Sequence, residues 1–221
     1  MIPFWVRKTY YAFFRLPMRV NGVLYRMARQ PREPICVHLG CGKVHYIPGW
    51  VNVDANIFTA RPDLWANMLD PLPFRENSVK MFYSHHMVEH LPDGFLASHF
   101  RDMYRRLVPG GGIRIGGPDT GNACRKFVEG DLDWFSSMMP FARKSLGGRF
   151  TNFVFCGGEH LTALSESYLR ELASDAGFVD IRRCAPVRES GLVGPEVLST
   201  EHESDFEVPH TVIIEARKPL S

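Results

Sequence analysis

The chain has 221 residues, 45% of them hydrophobic and 23% charged, with a net charge of +2. That is the composition of an ordinary globular protein with one sizeable core. No uncharged apolar run approaches the ~20 residues of a membrane span, and none has the apolar centre of a secretory signal. The five cysteines (Cys36, Cys41, Cys124, Cys156 and Cys184) have neither metal-binding nor disulfide-framework spacing, which points to reduced thiols in the cytoplasm.

Residues 1–33 form a basic, aromatic N-terminal arm with helical patterning. Within 1–32 stand seven basic residues (Arg7, Lys8, Arg15, Arg19, Arg26, Arg29, Arg32) and no acid, leaving a balance of −5 over the rest. Two readings stand for the arm. One is peripheral contact with the anionic inner face of a membrane, or with a partner. The other is a helix covering a crevice, with Val20, Leu24 and Met27 as its buried stripe.

After Pro31 and Pro34 the main domain, 34–221, opens with a strand at Ile35–Leu39 and a second at Trp50–Asp54. A third is expected at Leu64–Leu69 and a fourth at Val79–Ser84, separated by a Pro-rich loop. Asp93–Leu107 has apolar residues at helical spacing, with Arg101, Arg105 and Arg106 facing away. Pro109-Gly110-Gly111-Gly112 stops that helix before a strand at Ile113–Gly116. Residues 119–160, helical and aromatic-rich, read as a lid. Ser165 caps the next helix and Gly177 closes it. Strands at Val179–Cys184 and Val208–Ala216 follow, joined by a long polar loop of the kind that is functional or mobile. Alternating β and α elements predict a mainly parallel α/β sheet with helices on both faces. The last strand, reached without a helix, is expected to insert antiparallel.

The chemistry starts at Val37-His38-Leu39-Gly40-Cys41-Gly42 and Val51-Asn52-Val53-Asp54. Glycines let the backbone turn sharply and approach a ligand. A carboxylate ending the next strand can accept both hydroxyls of a ribose. The pair describes a nucleoside-binding crevice, and the missing third glycine disfavours a nicotinamide dehydrogenase.

Further motifs follow in order. They are Pro71-Leu72-Pro73-Phe74, then Tyr83-Ser84-His85-His86-Met87-Val88-Glu89-His90-Leu91, then Leu107-Val108-Pro109-Gly110-Gly111-Gly112 with Pro118-Asp119. On these motifs the chain resembles the class I S-adenosylmethionine-dependent methyltransferases, in particular small members linked to surface polysaccharide biosynthesis. The resemblance spans about residues 35–217 and implies a Rossmann-like, seven-stranded sheet with an antiparallel last strand. It places S-adenosylmethionine on Leu39, Gly40, Cys41 and Gly42, and on Asp54 with Ala55. It also implies contacts from Asn67, Met68 and Leu69 to the adenine and from the backbone of His85. Asn67 stands where the family usually has an acid.

Transfer to a hydroxyl benefits from a general base, most often histidine. His86 or His160 is the candidate, with Asp119 or Glu89 orienting the base or the substrate. No acidic neighbour pairs with Asp119, so no required metal is expected. The expected acceptor is a hydroxyl of a sugar in a glycan, glycolipid or secondary metabolite. The alternative is a non-catalytic cofactor-binding partner of a membrane-associated glycan enzyme. Nucleic acid is not expected, because the body is acidic and a basic arm alone is a narrow footprint.

Overall fold

The computed structural model describes residues 4–135 and 141–221, with side chains from residue 9 onward. Residues 136–140 of the expected lid lie outside the described residues. The strands are β1 (Ile35–Leu39), β2 (Val51–Asp54), β3 (Leu64–Trp65), β4 (Val79–His85), β5 (Leu107–Pro118), β6 (Val179–Cys184) and β7 (Thr211–Arg217). They form one sheet in the order β3-β2-β1-β4-β5-β7-β6. β1 to β5 pair in parallel, and β7 runs antiparallel to both β5 and β6. β1 lies between β2 and β4, so the chain reverses its direction of travel across the sheet at their carboxyl ends. Open α/β sheets place ligands at that switch point.

Apolar spacing explains the helices on one face. In α2 (Asp93–Arg106) Leu96, Phe100 and Met103 are fully buried, and in α5 (Glu166–Ala176) Leu169 and Ala173 are. Together they cover the sheet with Phe82, Ile113 and Ile214. Ser165 caps α5 by accepting from the Tyr168 N–H at 3.3 Å, and Gly177 closes it at φ +98°. Arg106 does not face away as its spacing suggested. It is buried, donating to the Phe74 carbonyl at 2.8 Å and to Asp102 at 3.1 Å.

No helix lies between β1 and β4, in keeping with the Pro-rich loop expected between β3 and β4. Loops make these crossovers, and Asn52 organises the first. Its buried amide accepts from the Ile47 N–H at 3.0 Å and donates to the Ile47 carbonyl and to Asp63 at 2.9 Å. That folds Ile47 onto the second face of the sheet, against Tyr83 and Val197. β3 stops at Trp65 rather than Leu69, since the Asn67 Oδ1 accepts from the Leu69 N–H at 3.0 Å and turns the chain. A single helical turn, Pro195–Leu198, interrupts the loop between β6 and β7.

The arm is α1 (Phe4–Leu24), continued by a π-helical turn at Tyr25–Arg29. It packs beside β3 and covers the sheet's edge, as edge strands require. Met18 and Tyr25 are buried, Phe14 packs on Trp65 with rings 5.5 Å apart, and Asn21 donates to the Trp65 carbonyl at 2.8 Å. Val20, Leu24 and Met27, the stripe expected to be buried, face solvent instead. Residues 119–160 contain α3 (Thr120–Glu129) and α4 (Leu146–Phe155). They gather a small core of their own around Ala123, Trp134, Phe135 and Phe153.

Candidate active site

The glycine turn after β1 holds Gly40 at φ +75° and Gly42 at φ +56°, conformations that side chains with a Cβ rarely adopt. A Cβ on Gly40 would stand 2.5 Å from Cγ of Met87, whereas a Cβ on Gly42 would meet nothing within 4 Å. The turn is therefore packed against the segment after β4 at one glycine and open at the other. Cys41, between them, is buried; burial first, then the Asp54 charge, pushes its thiol up to about 12. That removes it as a nucleophile.

Asp54 ends β2 beside the turn. Its Oδ2 accepts from the Gly42 N–H at 3.1 Å and its Oδ1 from the Asn56 N–H at 2.8 Å. Burial raises its pKa above the usual carboxylate value against the pull of these amides. A carboxylate offers about four acceptor positions; the Ala55 amide also acts on this one, which leaves room for a further donor. The Ala55 carbonyl is already taken by Trp65 Nε1 at 2.9 Å and the Tyr10 hydroxyl at 3.0 Å. Leu39 and Met68 are buried, Leu69 is exposed, and Asn67 spends its amide oxygen on its own turn.

β4 delivers the histidines. His85 pairs with Gly116, and neither of its buried ring nitrogens has a partner among the described residues. Burial, followed by the charge of His86, lowers its pKa well below the ordinary value, so the ring is neutral. His86 has a left-handed backbone at φ +54°, rare outside glycine. Its N–H donates to the Gly116 carbonyl at 2.9 Å, fixing that strained turn. The exposed ring sets Nδ1 3.2 Å from Glu89 Oε1 and Nε2 3.4 Å from the Thr211 hydroxyl.

Glu89 is the buried centre of this group. Burial works to raise its pKa, but the His86 hydrogen bond and the neighbouring histidine charges prevail and lower it. His160 is buried, with Nε2 4.0 Å from Glu89 Oε1 and Nδ1 3.1 Å from the Val154 carbonyl. Burial lowers its pKa, which Glu89 only partly offsets. His90 places Nδ1 3.0 Å from the Glu159 carbonyl. Glu89, His90 and His160 bring potential ligand atoms within 4.8 Å of one another. Tetrahedral zinc, with bonds of about 2.0–2.2 Å, holds neighbouring ligand atoms about 3.3–3.6 Å apart, closer than His160 Nε2 and Glu89 Oε1 at 4.0 Å.

Asp119 joins none of these bonds. Its Oδ1 caps α3 through the Asn122 N–H at 3.0 Å, and its Oδ2 accepts from Arg183 at 2.9 Å. Both oxygens are committed to holding α3 against β6. Sequence reasoning missed Thr211, which carries no motif signal. It also missed Asn52, whose place inside an apolar strand was the available clue. Two clefts, of about 650 Å³ beside Trp134 and His210 and about 170 Å³ between α1 and Pro71, are lined by neither the glycine turn nor His86.

No family model matches the chain, and no curated protein does. Solved structures resemble it over nearly its whole length. A SAM-dependent methyltransferase from Archaeoglobus fulgidus is 16% identical with a TM-score of 0.51, over 95% of this chain and 100% of that one. One from Thermotoga maritima has the same identity and score, over 95% of each chain. A third, from Mesorhizobium loti, is 16% identical at 0.50, over 92% and 96%. The fold is that of the class I methyltransferases, a Rossmann-like α/β sheet with an antiparallel β7.

Proposed function

We propose that the chain is an S-adenosylmethionine-dependent methyltransferase acting on a hydroxyl, with His86 as general base. One observation carries this reading. The strained His86, held by buried Glu89, immediately precedes Met87, whose side chain closes over Gly40 at the glycine turn.

The residues at the crevice fit the cofactor. The space above Gly42 is open, and Asp54 keeps acceptor capacity beyond its backbone amides for a ribose hydroxyl. Gly40, Cys41 and Gly42 would line it with backbone after Leu39, alongside Asp54 and Ala55. Asn67, Met68, Leu69 and the neutral wall of His85 would complete the cradle. When bound, the cofactor supplies a methyl group already activated on a sulfonium.

The chain must then position the acceptor and take its proton. Positioning of this kind can lower a barrier by about 7–11 kcal/mol. His86 is exposed enough to reach an acceptor, whereas His160 is buried and tied to a carbonyl. We therefore assign proton removal to His86 Nε2. Glu89 orients the ring and stabilises the imidazolium, and His160 walls the carboxylate on its far side. A built base favours a hydroxyl acceptor, since an amine or thiolate transfers with less help. The narrower assignment to a sugar of a glycan, glycolipid or secondary metabolite rests on the motif resemblance. A reducing, cytoplasmic setting suits five cysteines that form no disulfide.

The test is S-adenosylhomocysteine release by the full chain with sugar, amine and thiol acceptors, beside calorimetric cofactor binding. Release is expected with a sugar hydroxyl, to fall about 10²- to 10⁴-fold in His86→Ala with cofactor affinity unchanged. Cofactor binding without release from any acceptor would make the chain a non-catalytic partner. Undiminished turnover in His86→Ala would end the base assignment. Turnover is expected to survive chelation; a loss restored by zinc would hand the role to Glu89, His90 and His160.

A further inference from the structure

Helix α1 and the π-helical turn that continues it are apolar on two sides, and the domain covers only one. Phe14, Met18 and Tyr25 take the docked side. On the other, Phe13, Leu16, Val20, Val23, Leu24 and Met27 are exposed, Phe13 at 74%, Leu16 at 69% and Met27 at 76%. At about 100° per residue these six fall in an arc of about 100°, roughly opposite the docked stripe, along about 21 Å of helix. A contiguous apolar stripe of that size on a solvent face marks an interaction surface.

The charges beside it choose the partner. Arg15, Arg19 and Arg26 project from one flank of the stripe and Arg29 stands near them. No acid occurs in residues 1–32. Asp70 answers Arg15 at 3.0 Å and Arg19 at 3.9 Å, while Arg26 and Arg29 meet no carboxylate among the described ion pairs. Two copies of this helix face to face would bring like charges together with no acid between them, which disfavours a second copy. No helix among the described residues is long and apolar enough to cross a membrane.

We propose that this face of α1 lies on an anionic lipid bilayer. The six apolar side chains enter the boundary between headgroups and acyl chains, and the arginines sit at the level of the lipid phosphates. The inference is independent of the methyl acceptor and of the base.

Co-sedimentation of the full chain with vesicles tests it. Phosphatidylcholine mixed with phosphatidylglycerol is compared with phosphatidylcholine alone. The wild type is expected to bind the mixed vesicles about tenfold or more tightly, and to release them as salt shortens the screening length. Leu16→Glu with Met27→Glu, and separately Arg26→Glu with Arg29→Glu, are each expected to weaken binding at least about tenfold. Circular dichroism and Tm of the Leu16→Glu, Met27→Glu variant should match the wild type, since both side chains lie on the outer surface; Arg29 also donates to Asn21 at 2.6 Å, so the Tm of the arginine variant is read beside its binding. Absence of binding to mixed vesicles, or equal binding to both lipids, would overturn the proposal. So would a concentration-dependent dimer in ultracentrifugation that the Leu16→Glu, Met27→Glu variant dissolves, which would assign the face to a second copy.

Discussion

The imidazole of His86 stands with Nδ1 3.2 Å from Oε1 of Glu89, a carboxylate only 1% exposed. A buried carboxylate behind a histidine fixes its tautomer and stabilises the imidazolium formed on proton uptake. The proposed role needs Glu89 ionised, and the His86 hydrogen bond and the nearby histidine charges outweigh the cost of its burial. Glu89→Gln keeps the shape and removes the charge. We expect kcat to fall about 10²- to 10⁴-fold with cofactor affinity and Tm little changed. Steady-state kinetics beside calorimetry checks this; a fall in Tm with unaltered kcat would reduce Glu89 to a packing role.

Gly40 and Gly42 share a backbone conformation but not an environment, so alanine separates strain from crowding. Gly42→Ala meets open space and should cost only the left-handed penalty, about 1–2 kcal/mol. Gly40→Ala adds the collision with Met87, about 1–3 kcal/mol more. In a double-mutant cycle with Met87→Gly, which removes both the Cγ at 2.5 Å and the Cβ at 2.6 Å, the extra cost should disappear, since the two sites are in contact. Equal losses for both glycines in denaturant unfolding would contradict the crowding.

Arg114 is fully buried in β5 and holds the loop between β6 and β7. Its Nε and Nη2 donate to Glu201 at 2.6 and 2.9 Å, and its Nη1 donates to Glu215 at 2.9 Å and to the Glu189 carbonyl at 3.0 Å. Burial opposes the guanidinium charge, yet Glu201 and Glu215 raise its pKa overall. Arg114→Met would leave buried Glu201 without its cation, while Glu215 keeps Arg182 at 2.6 Å. A loss of about 3–5 kcal/mol is expected, with faster proteolytic cutting across residues 185–201. Wild-type stability and an uncut loop would refute the anchor.

Local rules made part of this legible. The glycine turn and Asp54 sit where short-range backbone demands put them, and Ser165 and Gly177 mark a helix by capping alone. Ile113-Arg114-Ile115 shows strand alternation, but nothing near Arg114 identifies Glu201, 87 positions away, as its partner. The Pro-rich loop was legible as irregular, but the hydrogen bond from Asn52 to Asp63 that organises the first crossover is tertiary and carries no local signal. For α1 the pattern was ambiguous in itself. Both sides are apolar, and contact with Trp65 and Ala55 decides which is docked. At the candidate site Glu89 was weighed with Asp119, and only the fold separates them: Asp119 faces Arg183, Glu89 faces His86.

Two histidines away from the crevice set a limit at low pH. Burial lowers His38 to about 4 against the hydrogen bond its ring donates to the Asn52 Oδ1, and burial lowers His99 to about 4 against the Asp102 charge. Both rings are neutral in the folded chain, whereas the unfolded chain protonates them near 6.5. The unfolded state therefore binds more protons between pH 6.5 and 4, and stability falls with pH across that window while remaining complete above it. From pH 7.5 to 5 each ring should remove about 2 kcal/mol. His99→Phe substitutes a ring that cannot protonate in a pocket already shared with Phe95. Urea unfolding at both pH values should show this variant losing about 2 kcal/mol less than the wild type over the same interval. An identical loss would mean that His99 does not remain neutral in the folded chain.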